Sequence, residues 1–222
     1  MKTATRTAGP RSLTLVTFPV IAVMVWSAWQ PFDRPTWWME VAPTLVILPL
    51  VWVKRHSFEL TPLLYSLLAL HALVLAIGGH YTYARVPAGF WVQDWFGFTR
   101  NHYDRLGHLM QGFVPALAAR ELLLRCTPLR PGGWLFTLIT LSCLGISALY
   151  ELIEWTAAVL LGQGAEEFLA TQGDIWDTQK DMLMADIGAV LAQVLLVRWH
   201  DGQIANLLLA TGSPPDQPEA AP

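Results

Sequence analysis

Six long apolar runs alternate with short polar connectors along this chain. The runs cover residues 13–29, 37–53, 60–79, 104–124, 133–161 and 181–199. Each approaches or exceeds the length a helix needs to cross a hydrocarbon core about 30 Å thick. Pro62 falls in the first turn of its run, where proline is tolerated. The fifth run is long enough to tilt or protrude. The pattern predicts an all-α polytopic bundle with about six transmembrane helices. It divides the chain into an N-terminal segment (1–12), a six-span domain (13–200) and a tail (201–222). The tail's Ser-Pro-Pro-Asp-Gln-Pro-Glu ending reads as disordered. The connector 80–103 is long and aromatic. Its Phe90, Trp91, Trp95, Phe96 and Phe98 read as a segment lying on the outer leaflet, or alternatively as a lid. The connector 162–180 is polar and acidic.

Composition agrees with the pattern. Of 222 residues 54% are hydrophobic and 14% charged, with mean hydropathy +0.40, where soluble domains carry about 25% charge. The lipid bilayer is therefore the expected surrounding. A net charge of −3 with scattered basic residues excludes a nucleic-acid groove. Cys126 and Cys143 lack the spacing of a CxxC pair and read as free thiols. Lys2, Arg6 and Arg11 precede the first run, as in a secretory signal. Five further runs favour an uncleaved signal anchor. With both termini in the cytoplasm, nine basic residues lie inside and five outside, as the positive-inside rule requires. The acids then fall mostly on the outer half. Glu121, between Arg120 and Arg125, reads as a solvated inner helix end.

Three segments hold most of the unusual polar residues: NHYDRLGHLMQG (101–112), YELIEW (150–155) and QGDIWDTQKDM (172–182), the last continuing to Asp186. On a helix, Asp104, His108 and Gln111 share one face, as do Glu151 and Glu154, and Asp177 and Asp181. Counting 1.5 Å per residue from the helix ends places His108, Glu151 and Asp186 at one level near the outer interface. Carboxylates in hydrocarbon are costly and normally face the bundle or a water-filled cavity. Clustered carboxylates repel unless a cation neutralises them. Facing helices that each give carboxylate or histidine at such spacings build metal sites in bundles. Asp104, His108, Asp177 and Asp181 are thus candidate metal ligands, and Glu151, Glu154 and Asp186 candidate catalytic groups. The ion would be divalent, and an oxygen-rich set with one histidine does not choose between magnesium, manganese, calcium and zinc. A metal-activated water beside a spare carboxylate would make a hydrolase site facing the outer leaflet.

Other readings stay open. Arg105 and Lys180 can pair with the acids and fasten helix ends, with Asp104 and Asp181 as caps. The same residues can form an ion or proton pathway. Asp186, deepest and without a basic neighbour, is the hardest to explain structurally. His71 reads as a packing histidine, and His80 and His102 as surface residues. Gly188 and Ala192 form a small-xxx-small step for close helix packing. Walker A, GxSxG, HExxH and dinucleotide motifs are absent in any plausible setting.

The blocks HYDRLGHLMQG, YELIEW and QGDIWDTQKDMLMADIGA together resemble the YjdF-like bacterial inner-membrane proteins over residues 13–199. The resemblance implies a polytopic protein of the inner membrane and carries no reaction, cofactor or catalytic residue with it. A more distant similarity is to VanZ-like membrane proteins, on Asp104, Arg105, His108, a glutamate at 151 or 154, and an aspartate at 181 or 186 with Gly188. It points weakly to the cell envelope. The second glutamate and the Gly-Asp-x-Trp-Asp stretch depart from that pattern and leave the alignment of the acids open.

Overall fold

A computed structural model describes residues 9–161 and 171–211. Among these residues every regular element is helical. The helices are α1 (Gly9–Ala28), α2 (Arg34–Lys54), α3 (Pro62–Tyr81), α4 (Pro87–Phe96), α5 (Tyr103–Cys126), α6 (Gly133–Leu161), α7 (Asp177–Leu195) and α8 (Val197–Thr211). Local chemistry explains several boundaries. Asp33 caps α2 by accepting from the Thr36 backbone at 2.8 Å, with Pro35 in the first turn. Thr61 caps α3 in the same way ahead of Pro62. Gly97, at φ +66°, ends α4 in the left-handed conformation. Pro19, Pro43, Pro49 and Pro115 lie inside helices, as transmembrane helices tolerate.

Each of the first five expected spans corresponds to one of these helices within about four residues at either end, and the sixth to α7 with the start of α8. By length and apolarity α2, α3 and α6 can cross a membrane, and α7 with α8 counts as a fourth if the bent pair is one span. The apolar stretch Ser12–Ala28 of α1 is shorter, and α5 carries Asp104, Arg105, Arg120, Glu121 and Arg125. Large apolar side chains cover the outside of the bundle, among them Phe18, Val25, Trp134, Leu160 and Val194. In water such a surface would be a liability, and in a bilayer it is solvated.

Two boundaries differ from the sequence expectation. The sixth span breaks at Leu196, and α8 turns by 66° from α7. Helix α8 then continues to Thr211, through the first part of the expected disordered tail. The physical reason is that α8 is amphipathic: His200, Ile204 and Leu207 share one face and are buried. Its Gln203 accepts a hydrogen bond from the Leu63 backbone at the start of α3. Residues 1–8, 162–170 and 212–222 lie outside the described residues, and so do the expectations made for them.

Helix α5 packs most extensively on α7, and both pack on α6; α1 and α2 pack on α3. The α5–α7 seam is made of small residues. A Cβ at Gly112 would strike the Ala185 carbonyl, and one at Gly188 the Leu109 carbonyl. Ala189 and Ala192 are fully buried in the same seam. The small-xxx-small step at Gly188 and Ala192 thus brings two backbones into contact. Gly188→Ala is expected to lower stability by about 1–3 kcal/mol through overpacking. Thermal melting of the purified protein checks this, and an unchanged melting temperature would rule out backbone contact there.

Candidate functional site

Four helix ends bring carboxylates to one layer. Helix α2 contributes Glu40, α5 Asp104, α6 Glu151 and Glu154, and α7 Asp177 and Asp181, all buried. Asp104 and Asp177 lie in the first turns of α5 and α7. The residues before those helices, His102 and Trp176, occupy the capping positions. Neither Asp104 nor Asp181 is therefore a cap, because the helices start earlier than the apolar pattern indicates.

His108 stands among these acids. Its Nε2 lies 3.6 Å from Asp104, 3.7 Å from Glu151 and 3.8 Å from Asp181. One donor atom from each of Asp104, His108 and Asp181 lies within 4.8 Å of the other two. Nδ1 of His108 is 3.0 Å from Gln111 Oε1. In the tautomer with Nδ1–H donating to Gln111, the Nε2 lone pair faces the carboxylates. Oε1 of Glu151 is buried without a hydrogen-bond partner. Tyr150 sets its ring edge-on to His108 and donates to the Met39 carbonyl at 3.3 Å, which ties α6 to α2.

A lattice of arginines borders this pocket of acids. Arg105 donates to Asp181, and to Asp177 at 2.5 Å, with Asp104 at 3.4 Å and Asp174 at 3.5 Å. Arg100 donates to Asp177 at 2.7 Å and to the Thr171 carbonyl at 2.8 Å. Lys180 donates to Asp174 at 2.6 Å. That bond and the Trp176 backbone N–H hold the Asp174 carboxyl below its usual range. Asn101 and Gln172 exchange two hydrogen bonds and fix the connector on the loop before α7. Among the described residues, Glu40, Asp104, Glu151, Glu154, Asp174, Asp177 and Asp181 thus face three cations, Arg100, Arg105 and Lys180. These cations pair with Asp104, Asp174, Asp177 and Asp181, which leaves Glu40, Glu151 and Glu154 as the acids of the layer that none of the three reaches.

Of the residues singled out from sequence, Asp104, His108, Glu151, Glu154, Asp177 and Asp181 come together. Asp177 turns toward the two arginines. Asp186 does not join them; it is half-buried on α7 with Cys143 as a neighbour. Glu40 was missed, and its signal was available: it lies four residues into the apolar run 37–53, where an acid is a functional candidate by default. It is almost fully buried, one oxygen lacks a hydrogen-bond partner, and Tyr83 and Asp104 are its polar neighbours. Two histidines are better packed than expected. His80 stacks on Trp26 at 4.3 Å with Nδ1 3.1 Å from the Ser27 carbonyl. His102 sets its ring against Phe98. The connector aromatics Trp91, Trp95 and Phe96 are exposed on α4.

The opposite end of the bundle corrects the reading of Glu121 as solvated. Its side chain is wholly buried. It accepts from the Thr61 hydroxyl at 2.9 Å and from Arg125 at 2.6 Å, with His200 Nε2 at 3.0 Å. Arg120 makes a two-point pair with Asp201. The extension of α8 covers this end, and the apolar pattern gave no sign of it.

Fold and site together define a polytopic helical membrane protein with a buried acid–histidine layer at one end. The chain belongs to the family described as "Predicted membrane protein (DUF2238)", which matches residues 12–202. It is 46% identical over 208 residues to "Inner membrane protein YjdF" of Escherichia coli (strain K12), covering 94% of this chain and 100% of that protein. It is accordingly an integral inner-membrane protein. No solved structure matches it. The VanZ-like similarity rests on the residue pattern alone.

Proposed function

We propose that this chain is a membrane-embedded, divalent-cation-dependent hydrolase or transferase acting on a lipid or cell-envelope substrate at the outer leaflet. The observation that carries the reading is the placement of donor atoms from Asp104, His108 and Asp181 within 4.8 Å of one another, beside the unpartnered oxygen of Glu151. A buried group of carboxylates with too few cations is a site that gains from a bound cation. Asp104, His108 and Asp181 would hold it, and Gln111 orients the imidazole. A bound ion would supply Lewis acidity at the substrate. Glu151 takes the proton of the attacking water or alcohol and returns it to the leaving oxygen. Glu154 and Glu40 extend the acidic wall. Asp177, held by two arginines, has a positioning role in this reading.

The arginine lattice favours a second reading, in which the acids only tie α5 to α7. Metal analysis of the purified protein separates the two. The first expects about one ion per chain, lost in His108→Ala and Asp104→Asn while helicity and melting persist, since a second shell or ligand change costs at least tenfold in affinity. Absence of stoichiometric metal, with variants that alter stability alone, would leave only the structural reading.

A further inference from the structure

An apolar groove of about 810 Å³ runs between α2, α3, α5 and α6. Its upper end is closed by His108, Gln111, Tyr83 and Tyr150, side chains of the acid–histidine layer. Its lower end reaches Lys54 and Cys126. From Gly107 to Cys126 along α5 the groove covers about 28 Å at 1.5 Å per residue. That is nearly the whole hydrocarbon core and about twice the depth of one leaflet. The walls between are mostly aliphatic, with Ile47 and Leu50 on α2, Ala118 and Leu122 on α5, and His71 on α3 as the polar exception.

The groove exists because α2 packs on α3 and is otherwise little supported. Near its upper end Tyr150 bridges α6 to α2 through the Met39 carbonyl. Below that bridge, small side chains such as Ala118 leave the gap unfilled. The groove runs along α2, α3 and α6, which are long and apolar enough to cross a membrane, and the material that fits such walls is a hydrocarbon chain. Its continuity with the His108 layer specifies the rest of the occupant, because a chain lying in the groove carries its head group to His108 and Gln111. An anionic head is repelled by the acids alone and attracted once they hold a cation.

We propose that this groove is the site for the single long chain of a polyprenyl-type lipid phosphate, which enters from the bilayer and brings its phosphate to the acid–histidine layer. The proposal deepens the lipid-acting reading above and rests on it. Its length requirement is specific: a chain confined to one leaflet leaves the lower half of the groove empty.

Cys126 reports on that lower half. It is exposed and lines the inner end, whereas Cys143 is buried. The experiment places the full chain in phosphatidylcholine nanodiscs and follows maleimide labelling of Cys126. The probes are a polyprenyl monophosphate of bilayer length and dodecyl phosphate. The long probe, at a free concentration about ten times its Kd, is expected to slow labelling about tenfold, and the short one to leave it unchanged. Ala118→Phe, and separately Ile47→Phe on the facing wall, should abolish protection. Leu160→Phe on the outer surface should not. Two groove variants guard against one that fails to fold. Equal protection by both probes, or protection that survives both groove substitutions, overturns the proposal. So does shielding without lipid in a dimer detected by native mass spectrometry, since a second copy would then fill the groove. Repeating the series with chelator separates the two readings. Length-dependent protection that persists in chelator supports the groove and counts against cation capture of the head. Bound metal without protection overturns the groove and leaves the metal site standing.

Discussion

Arg105→Ala is expected to destabilise the protein by about 3–5 kcal/mol, the cost of removing one partner from a buried ionic group. Arg105 is buried and its guanidinium reaches Asp181, Asp177, Asp104 and Asp174 at once. Alanine would leave these carboxylates facing one another with only Arg100 and Lys180 nearby. Thermal melting and yield of folded protein in detergent measure the loss. Arg105→Lys should recover little of it, because an ammonium is a point charge and cannot span Asp177 and Asp181 as a planar fork does. A melting temperature close to that of the parent would mean that Arg105 is dispensable to the α5–α7 junction.

Glu121→Ala is expected to cost a comparable amount, about 3–5 kcal/mol, at the other end of the bundle. Here one carboxylate joins three helices. It receives the Thr61 hydroxyl at the start of α3, Arg125 one turn along α5, and His200 on α8. Its loss leaves Arg125 with the Glu59 carbonyl and the Phe58 ring as neighbours. Glu121→Gln keeps an acceptor for Thr61 and should be milder. The distinguishing readout is limited proteolysis, since α8 should become cleavable near Trp199 before the rest unfolds. If Glu121→Ala melts like the parent and α8 stays protected, the docking of α8 does not depend on this carboxylate.

The bundle was legible in the sequence because lipid imposes a coarse rule: every span must be apolar for about its full length. The layer of acids was legible for the same reason, since Asp104, His108, Glu151 and Asp181 stand out against apolar flanks. Partner choice was not. Helical spacing places Asp177 and Asp181 on one face, but only the tertiary arrangement shows Asp177 held by Arg100 and Arg105 while Asp181 also approaches His108. Asp186 was grouped with these acids for a related reason: residue counting gives a level along α7 but not a side, and Asp186 has Cys143 as its neighbour. Glu40 escaped notice because its run holds no second charged residue to form a pattern. The α8 helix was obscured by its modest hydropathy, since its stability comes from one buried face and from His200 on Glu121.

The contact of Gly112 and Gly188 with the opposing backbones has a consequence for ion choice. Asp104 and Asp181 stand on two helices that cannot slide or spread without breaking that seam. The seam limits how far the two backbones that carry these carboxylates can separate. Magnesium demands near-ideal octahedral bonds of about 2.0–2.1 Å, whereas calcium accepts variable geometry at about 2.3–2.6 Å. If the proposed site holds an ion, acids on two backbones clamped in this way would discriminate by ionic radius rather than by charge, and a bulkier residue at Gly112 or Gly188 would retune that discrimination from outside the site.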